Sequence, residues 1–416
     1  MVYAREFLVW WGLLLFVLKL SSRRQLDFEL RNGEELVLDN VNRLAQTQQK
    51  TLPVHDTLEH FVGHSDPEAI GELPPKMVRA LVRMKALDGC RLFGMFMVAV
   101  DATGHLTFHE RHCEHCLEQK YDGGRVYLHE VLEAKLVSMS GLSLSVGTQF
   151  IENADYPDTG SEEDRKQDCE LKALSRLAPQ LKGHFPQMRI CLTSDSLYAC
   201  GRAIQIAQDY HWGYCYVFKP GRMPAVWDDF QSLLKLAPEN ILRIQYPDGT
   251  WRVYRWVNGL SYQDDQKRTH RFNAIQCEET CAKQTTTFAW ITNLPVDHKR
   301  VDAIANCAGR IRSKIENQGF NIQKNSGLNL QHAYRTDPEN LKAYYYLLQI
   351  AHILLQAVEL GSLLRRLAAR RNKTPIGLFG SLKNIARKLL ECFRYRRLPD
   401  EAFALHPPIR IRLDTC

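Results

Sequence analysis

The spacing of apolar and polar residues changes character three times along the chain. Over residues 1–88 apolar positions recur at helical intervals, which predicts a helical region. From 89 to 239 short apolar runs alternate with helical patterns, as is typical of an α/β layer with helices on its faces. From 240 to 295 Tyr, Trp, Val, Thr and Arg surround the turn Asp248-Gly249, which predicts β-hairpins. Helical periodicity then returns and continues to about Leu398.

The α/β stretch yields individual elements. The apolar run Leu92 to Val100 ends at Asp101 ahead of Ala102-Thr103-Gly104, which predicts a buried strand that feeds a turn. Met188 to Thr193 predicts another buried strand, which ends at Asp195. The pattern also predicts strands over Leu106 to Glu110, Leu142 to Ile151 and Tyr214 to Phe218, and helices over Asp164 to Leu181 and Leu197 to Tyr210.

Two features of the N-terminal region need a separate interpretation. The run Phe7 to Leu20 is almost wholly apolar, but its 14 residues fall short of the roughly 20 that span a bilayer. No small-residue cleavage site follows it, so we expect a buried helix, with a membrane anchor or signal segment as the alternative. Further on, Pro74-Pro75 predicts a break before an amphipathic helix over Met77 to Leu87.

Composition identifies a globular chain with an uneven charge. Of the 416 residues, 45% are hydrophobic and 24% charged, which excludes collagen-like, coiled-coil and wholly disordered classes. The net charge of +7 comes from residues 361–416, which contain 13 Lys and Arg against 4 Asp and Glu. Basic side chains clustered on helices suit DNA phosphates. The alternatives are a solvated basic face and a patch that binds anionic membranes.

The cysteine pattern leaves one metal question open. Twelve Cys without a convincing secretory signal favour reduced thiols in a cytoplasmic protein. His112-Cys113-Glu114-His115-Cys116 and the pair Cys277 and Cys281 carry zinc-type ligands. Structural zinc requires four ligands in tetrahedral array, and these two groups are more than 150 residues apart. Local packing of thiols and imidazoles is therefore the alternative to zinc.

Three acids occupy positions at which carboxylates are usually paired, capping or bound to a cation. Asp101 and Asp195 end predicted strands, and Glu316 lies in a predicted helix beside Arg312. Converging carboxylates form an oxygen-rich site for Mg²⁺, and two such ions promote phosphodiester cleavage. Each acid also has a simpler explanation. Asp195 could cap the helix that follows, and Glu316 could form an exposed ion pair with Arg312.

The sequences around these acids resemble the acidic motifs of the bacterial insertion-sequence DDE transposases. The segments are Val98-Ala-Val-Asp101-Ala-Thr-Gly104, Leu192-Thr-Ser-Asp195-Ser-Leu-Tyr-Ala199 and Arg312-Ser-Lys-Ile-Glu316-Asn-Gln-Gly-Phe320. Their order fits as well, because Asp195 follows Asp101 by 94 residues and Glu316 follows Asp195 by 121. Gln167-Asp-Cys-Glu170-Leu-Lys-Ala and Asn329-Leu-Gln-His332-Ala-Tyr are similar to further segments of one branch of this family.

The resemblance implies an α/β fold with a ribonuclease-H-like catalytic core, a β-rich insertion between the second Asp and the Glu, and helical N- and C-terminal flanks. On this interpretation the chain divides into a helical N-terminal region (1–88), the first part of the core (89–239), the β-rich insertion (240–295), the core completion with the Glu316 helix (296–360) and a basic helical C-terminal region (361–416).

The resemblance to the DDE transposases also implies an activity. Asp101, Asp195 and Glu316 are expected to bind Mg²⁺, with Mn²⁺ as a substitute, and to catalyse cleavage of transposon ends and strand transfer into target DNA. The implied partner is double-stranded DNA, held by a dimer of the chain in the bacterial cytoplasm, at the nucleoid when bound, with no membrane. The residues expected to contact DNA are Lys219, Arg312, Lys324, His332, Arg365, Arg366, Arg370 and Arg371.

Two positions depart from the helix signature of the family. Its Arg, four residues before the Glu, is matched by Arg312. Its Tyr, three residues before that Arg, falls on Gly309, and its Lys, seven residues after the Glu, falls on Gln323 with Lys324 next to it. A DNA-binding remnant that has lost catalysis is therefore the alternative function.

Overall fold

The computed structural model describes residues 2–153, 167–282, 284–403 and 413. The chain has a mixed α/β fold built on one large mixed sheet, so the predicted α/β class is confirmed. The N-terminal region is helical, as predicted. Its helices are α1 Arg5–Val17, α2 Arg23–Arg31, α3 Glu34–Ala45, α4 His55–Gly63, α5 Pro67–Gly71 and α6 Leu73–Arg83.

Helix α1 contains most of the apolar N-terminal run. Phe7, Trp11 and Leu15 are fully buried in an apolar cluster that also contains residues between positions 343 and 351. The predicted buried helix is therefore confirmed. In the part of the chain that the structure describes, no helix has both the length and the apolar character needed to cross a membrane.

The predicted break at Pro74-Pro75 is wrong. Both prolines lie in the first turn of α6. The backbone N–H groups of a first turn have no partner within the helix, so proline fits there without loss of a hydrogen bond. Helix α6 consequently begins four residues before the predicted Met77.

The sheet has eleven strands among the described residues, and both faces are covered by helices. The order is β3-β4-β2-β6-β7-β11-β10-β9-β8, with β1 beside β2 and β5 beside β4. The strands are β1 Arg91–Leu92, β2 Met95–Phe108, β3 Leu117–Tyr121, β4 Gly124–Val137, β5 Ser143–Ile151, β6 Ile190–Ser194, β7 Gly213–Val217, β8 Ile241–Gln245, β9 Trp251–Gln263, β10 Thr269–Cys281 and β11 Gln284–Thr292.

Strand β2 corrects the predicted turn after Asp101. It runs without interruption through Asp101 and Gly104, so the segments predicted as two strands form one. The cause is antiparallel pairing with β4 along this length, in which Asp101 lies opposite Glu133. The register shifts just after Gly104, and glycine inside a strand commonly marks such an irregularity. The sequence pattern predicted neither β3 nor β4.

The other strands and helices predicted for the α/β stretch are present, but they begin and end at different residues. Strand β5 is followed by α7 Glu170–His184, β6 by α8 Gly201–Asp209, and β7 by α9 Pro224–Leu236. Residues 164–166, where the first of these helices was predicted to begin, lie outside the described residues. Helix α8 begins later than Leu197 because Ser196–Tyr198 forms a 3₁₀ turn first.

The predicted hairpins over 240–295 are confirmed as the antiparallel strands β8 to β11. The turn Asp248-Gly249 joins β8 to β9, and Gly249 has the positive φ of 84° that glycine adopts readily. Strand β11 pairs with β7. The hairpins therefore continue the same sheet.

A helical segment over 301–325 covers the face of the sheet that carries Asp101. It contains α10 Val301–Ile304, two π-helical stretches, Ala305–Gly309 and Ile315–Phe320, a 3₁₀ turn between them, and α11 Asn321–Asn325. Its apolar residues pack on Ala99 of β2 and on neighbouring strands. The chain then forms α12 Pro338–Glu359, α13 Ser362–Ala369, α14 Pro375–Phe379 and α15 Leu382–Tyr395.

The close approach of the 301–325 segment to the sheet gives a test of the fold. A Cβ added at Gly309 would lie 2.6 Å from the Trp290 indole, whereas one at Gly183 would meet nothing within 4 Å. Overpacking of this kind costs about 1–3 kcal/mol. We expect Gly309→Ala to lower the free energy of unfolding by that amount in denaturant titrations.

The matched control is Gly183→Ala in α7, which should be neutral or add up to about 1 kcal/mol because alanine favours helix. Equal stability of the two variants would contradict the packing described for Trp290.

Candidate acidic active site

Asp101 lies in β2, and Asp195 directly follows β6, the parallel strand next to it. The parallel pairing of β2 with β6 is observed as far as Ala99 opposite Thr193. Continuation of this register by two residues would place Asp101 level with Asp195. Asp101 lies within β2 and its side chain is 16% exposed, whereas Asp195 directly follows β6. The sheet thus brings the first two predicted acids together.

Asp195 also has the capping role that was the simpler alternative. Its Oδ1 accepts a hydrogen bond of 2.8 Å from the backbone N–H of Leu197. This bond fixes the carboxylate at the start of the 3₁₀ turn. Its charge still acts on Asp101, whose pKa it raises.

Arg312 links the third acid to the first. Its Nη1 lies 2.6 Å from Glu316 Oε1 and 3.5 Å from Asp101 Oδ2. The predicted ion pair at positions four apart is therefore present, and the same guanidinium reaches the sheet. Because Glu316 is 48% exposed, the pair adds little stability by itself. Its consequence is positional, since it holds Glu316 on the side of the helix that faces Asp101.

The pKa of the Asp101 carboxyl is shifted from its usual value. Burial raises its pKa to about 7, with further increases from Glu316, Glu170 and Asp195, while Arg312 opposes the shift. Burial is thus the main cause of the raised pKa, and the single guanidinium of Arg312 does not offset it. With this pKa, the carboxyl of Asp101 gains or loses its proton near neutral pH.

Glu170 is an acid to which the sequence assigned no role, although it lies in one of the quoted motifs. It begins α7, and burial raises its pKa, with contributions from Asp195 and Glu130. The hydroxyl of Tyr198 donates a hydrogen bond of 2.9 Å to its Oε2. Only the pairing of distant elements brings it near Asp101, so no local signal could have revealed this neighbour.

The acidic side chains that the structure describes at this site are not grouped closely enough to share one metal ion. Among the described residues, the group of side chains near enough to share one metal ion is His112, Cys113, Cys116 and His129, and it contains no carboxylate. At the acidic site the Arg312 guanidinium lies between two of the acids. The donors are nevertheless all carboxylate oxygens, the ligands that Mg²⁺ prefers.

The structure accounts for both departures from the helix signature. Gly309 faces the Trp290 indole at a distance that excludes any side chain. Gln323 is fully buried and its amide donates to Gln349 Oε1 at 2.8 Å, so it cannot reach DNA. Lys324 is half-buried; burial lowers its pKa and Asp101 acts in the opposite direction. The amine of Lys324 therefore lies near the acids.

The other residues predicted to contact DNA are spread over the surface. Lys219 is exposed just past β7, at the carboxyl ends of the parallel strands, where Asp195 also lies. His332 is exposed between α11 and α12, with its ring against Tyr334 at 4.6 Å. The exposed arginines of α13 and the turn after it are Arg365, Arg366, Arg370 and Arg371. Part of the basic C-terminal sequence serves internal contacts instead, since Arg394 pairs with Glu29 and Arg397 with Asp39.

Comparison with protein-family models finds no match, and comparison with curated proteins finds none either.

The raised pKa of Asp101 predicts a pH-dependent gain in stability for Asp101→Asn. Over the range from about 4 to 7 the folded chain keeps a proton that the unfolded chain releases, so the wild type loses stability as pH rises through this range. Asparagine removes that loss. We expect the variant to be about 1–3 kcal/mol more stable than the wild type at pH 8 and to show no such gain at pH 4, in denaturant titrations.

The exposed Asp229 of α9 provides the control, because Asp229→Asn should leave the pH profile unchanged. A variant Asp101→Asn that is less stable than the wild type at pH 8 would show that Arg312 compensates the carboxylate in full.

Proposed function

We propose that this chain is a DDE transposase that cleaves transposon ends and transfers them into target DNA. The observation that carries the proposal is that Asp101 lies in β2 beside the parallel strand that Asp195 follows, and that Arg312 links Asp101 to Glu316. The three acids are 94 and 121 residues apart along the chain, and the motifs around them resemble one family.

The sheet topology supports a ribonuclease-H-like core. The sheet contains the series β5-β4-β2-β6-β7, in which β2, β6 and β7 are parallel and β4 is antiparallel to β5 and β2. Such a mixed sheet, covered by helices on both faces, is the arrangement that a core of this type requires. Strands β8 to β11 follow β7 and precede the 301–325 segment, where the resemblance expects the β-rich insertion.

Asp101, Asp195 and Glu316 would hold the divalent metal ions, and Glu170 adds negative charge that acts on Asp101. When bound, Mg²⁺ or Mn²⁺ supplies activation of the attacking oxygen and stabilisation of the leaving oxygen. Asp101 must release its proton to act as a ligand, so binding strengthens as pH rises through about 7.

Arg312 has a second task in this scheme. Its Nη1 lies within ion-pair distance of both Asp101 and Glu316. A guanidinium offers paired N–H donors that match phosphate oxygens, so once the acids have cationic ligands it can donate to the DNA backbone. Lys324 lies near the same acids and supplies a further positive charge for a phosphate.

The wider DNA surface is proposed to include Lys219, His332 and the exposed arginines at the start of the C-terminal region. These arginines would neutralise backbone phosphates without reading sequence. Two copies of the chain on paired DNA ends, at the nucleoid of a bacterial cytoplasm, complete the proposal.

A DNA-binding remnant is the second candidate function. It is favoured by the burial of Gln323 where the family has a lysine, and by the Arg312 guanidinium between two acids that a metal ion must approach. The two functions share the DNA surface and differ in catalysis.

Cleavage of the DNA that flanks the gene separates the two. End-labelled duplexes of these flanks are incubated with the full chain in Mg²⁺ or Mn²⁺. Wild type and Asp229→Asn should cut at defined positions, and Asp195→Asn should not, because asparagine retains the capping oxygen but removes the charge that holds the metal.

Binding of the same duplexes, followed by fluorescence anisotropy, and thermal melting must be equal in the three proteins for that result to report on metal chemistry. If all three bind DNA and none cuts with either metal, the remnant function replaces the transposase.

The exposed arginines of the C-terminal region predict how DNA binding depends on salt. Replacing Arg365, Arg366, Arg370 and Arg371 with Ala should weaken DNA binding and reduce the slope of log K against log salt by about 2–4, since each lost phosphate contact removes about 0.9. Anisotropy titrations from low to moderate salt measure the slope. The control replaces Arg83 and Lys85, exposed basic residues at the end of α6, and should leave the slope unchanged. Equal slopes for both variants would exclude the C-terminal arginines from the DNA surface.

A further inference from the structure

The segment between β2 and β3 forms a compact cluster of sulfur and nitrogen atoms with a residue of β4. Cys113 Sγ and Cys116 Sγ are 3.5 Å apart, and His129 Nε2 lies 3.5 Å from each of them. His112 completes the group, in which all four ligand atoms lie within 4.8 Å of one another. Two of the four residues, Cys116 and His129, are buried with 1% exposure.

The three distances among Cys113, Cys116 and His129 are close to those of a tetrahedral metal site. With Zn–S bonds of about 2.3 Å and Zn–N bonds of about 2.0–2.1 Å, the edges of a tetrahedron are roughly 3.8 Å between two sulfurs and 3.5 Å between sulfur and nitrogen. A disulfide does not explain the cysteines, because its sulfurs would be about 2.0 Å apart. The spacing of two residues between Cys113 and Cys116 is also typical of a zinc-binding turn.

The surrounding residues hold the four ligands in place. Asn153 follows β5, and its Nδ2 donates to the Cys116 carbonyl at 2.9 Å while its backbone N–H donates to the His115 carbonyl at 3.2 Å. The Phe108 ring stacks on His112 with centroids 4.7 Å apart. The ligands therefore come from the turn between β2 and β3 and from β4, and residues at the end of β2 and just after β5 contact this turn, so the geometry does not depend on an exposed loop alone.

We propose that His112, Cys113, Cys116 and His129 bind one structural zinc ion. Four protein ligands leave no open position for a substrate. The site lies beyond Phe108, seven residues from Asp101, which is roughly 23 Å along β2. It fastens the turn between β2 and β3 to β4, and it is independent of the proposed DNA chemistry.

The test uses the full chain, purified without a histidine tag, and elemental analysis for zinc. We expect about one zinc ion per chain. Replacement by Co²⁺ should give the intense visible bands of tetrahedral cobalt together with a thiolate-to-metal charge-transfer band. Zinc-free protein that also gives no such spectrum with Co²⁺ would overturn the proposal.

Variants assign the ligands. His112→Gln, at an exposed position, should release the ion to a chelator at least tenfold faster, while His115→Gln in the same turn should behave as the wild type. Cys113→Ser combined with Cys116→Ser should abolish binding, with the exposed Cys169→Ser as control. Full zinc content in the double variant, or a Cys113–Cys116 disulfide that forms in the presence of zinc, would refute the site. Neither readout requires DNA cleavage.

Discussion

The buried ion pair between Glu133 and Lys135 fixes the part of the molecule on which the acidic site is built. Both side chains are fully buried, with Lys135 Nζ 3.1 Å from Glu133 Oε2. Glu133 also accepts hydrogen bonds from the hydroxyls of Ser145, Thr148 and Tyr345. Loss of one partner from such a pair costs about 3–5 kcal/mol, because the other charge is left uncompensated. This constraint joins β4, β5 and α12 into one unit.

The same ion pair determines where Asp101 and its partners lie. Glu133 is directly opposite Asp101 in the pairing of β2 with β4. Lys135 donates to Gln349 of α12 at 2.6 Å, and Gln349 in turn accepts from the buried Gln323 of the 301–325 segment. A continuous set of buried polar contacts thus runs from the strand beside Asp101 to the helix that carries Arg312 and Glu316. The burial of Gln323 serves this support and explains why a lysine cannot replace it.

Locally encoded features of the fold could be predicted from the sequence. The buried helix α1, the strand that ends before Asp195 and the hairpins after Asn240 each follow from hydrophobic spacing or turn residues within a few positions. The length of β2 could not, because its second half is stabilised by pairing with a distant strand and Gly104 marks an irregularity instead of a turn. Glu170 and His129 were missed for the same reason, since cross-strand and helix packing bring them to their partners.

The helical segment 301–325 shows how a sequence spacing can mislead when the helix is irregular. A π-helical turn holds one residue more than an α-helical turn, so positions after it are displaced by one along the chain. Ile315–Phe320 is such a stretch; it contains Glu316 and precedes Gln323 and Lys324. Position 323 consequently turns inward, and Lys324, eight residues after Glu316, takes the side that faces Asp101. Burial raises the pKa of Asp101, and the neighbouring acids add to the shift while Arg312 opposes it, so a cation that approaches these carboxylates favours the ionised form of Asp101.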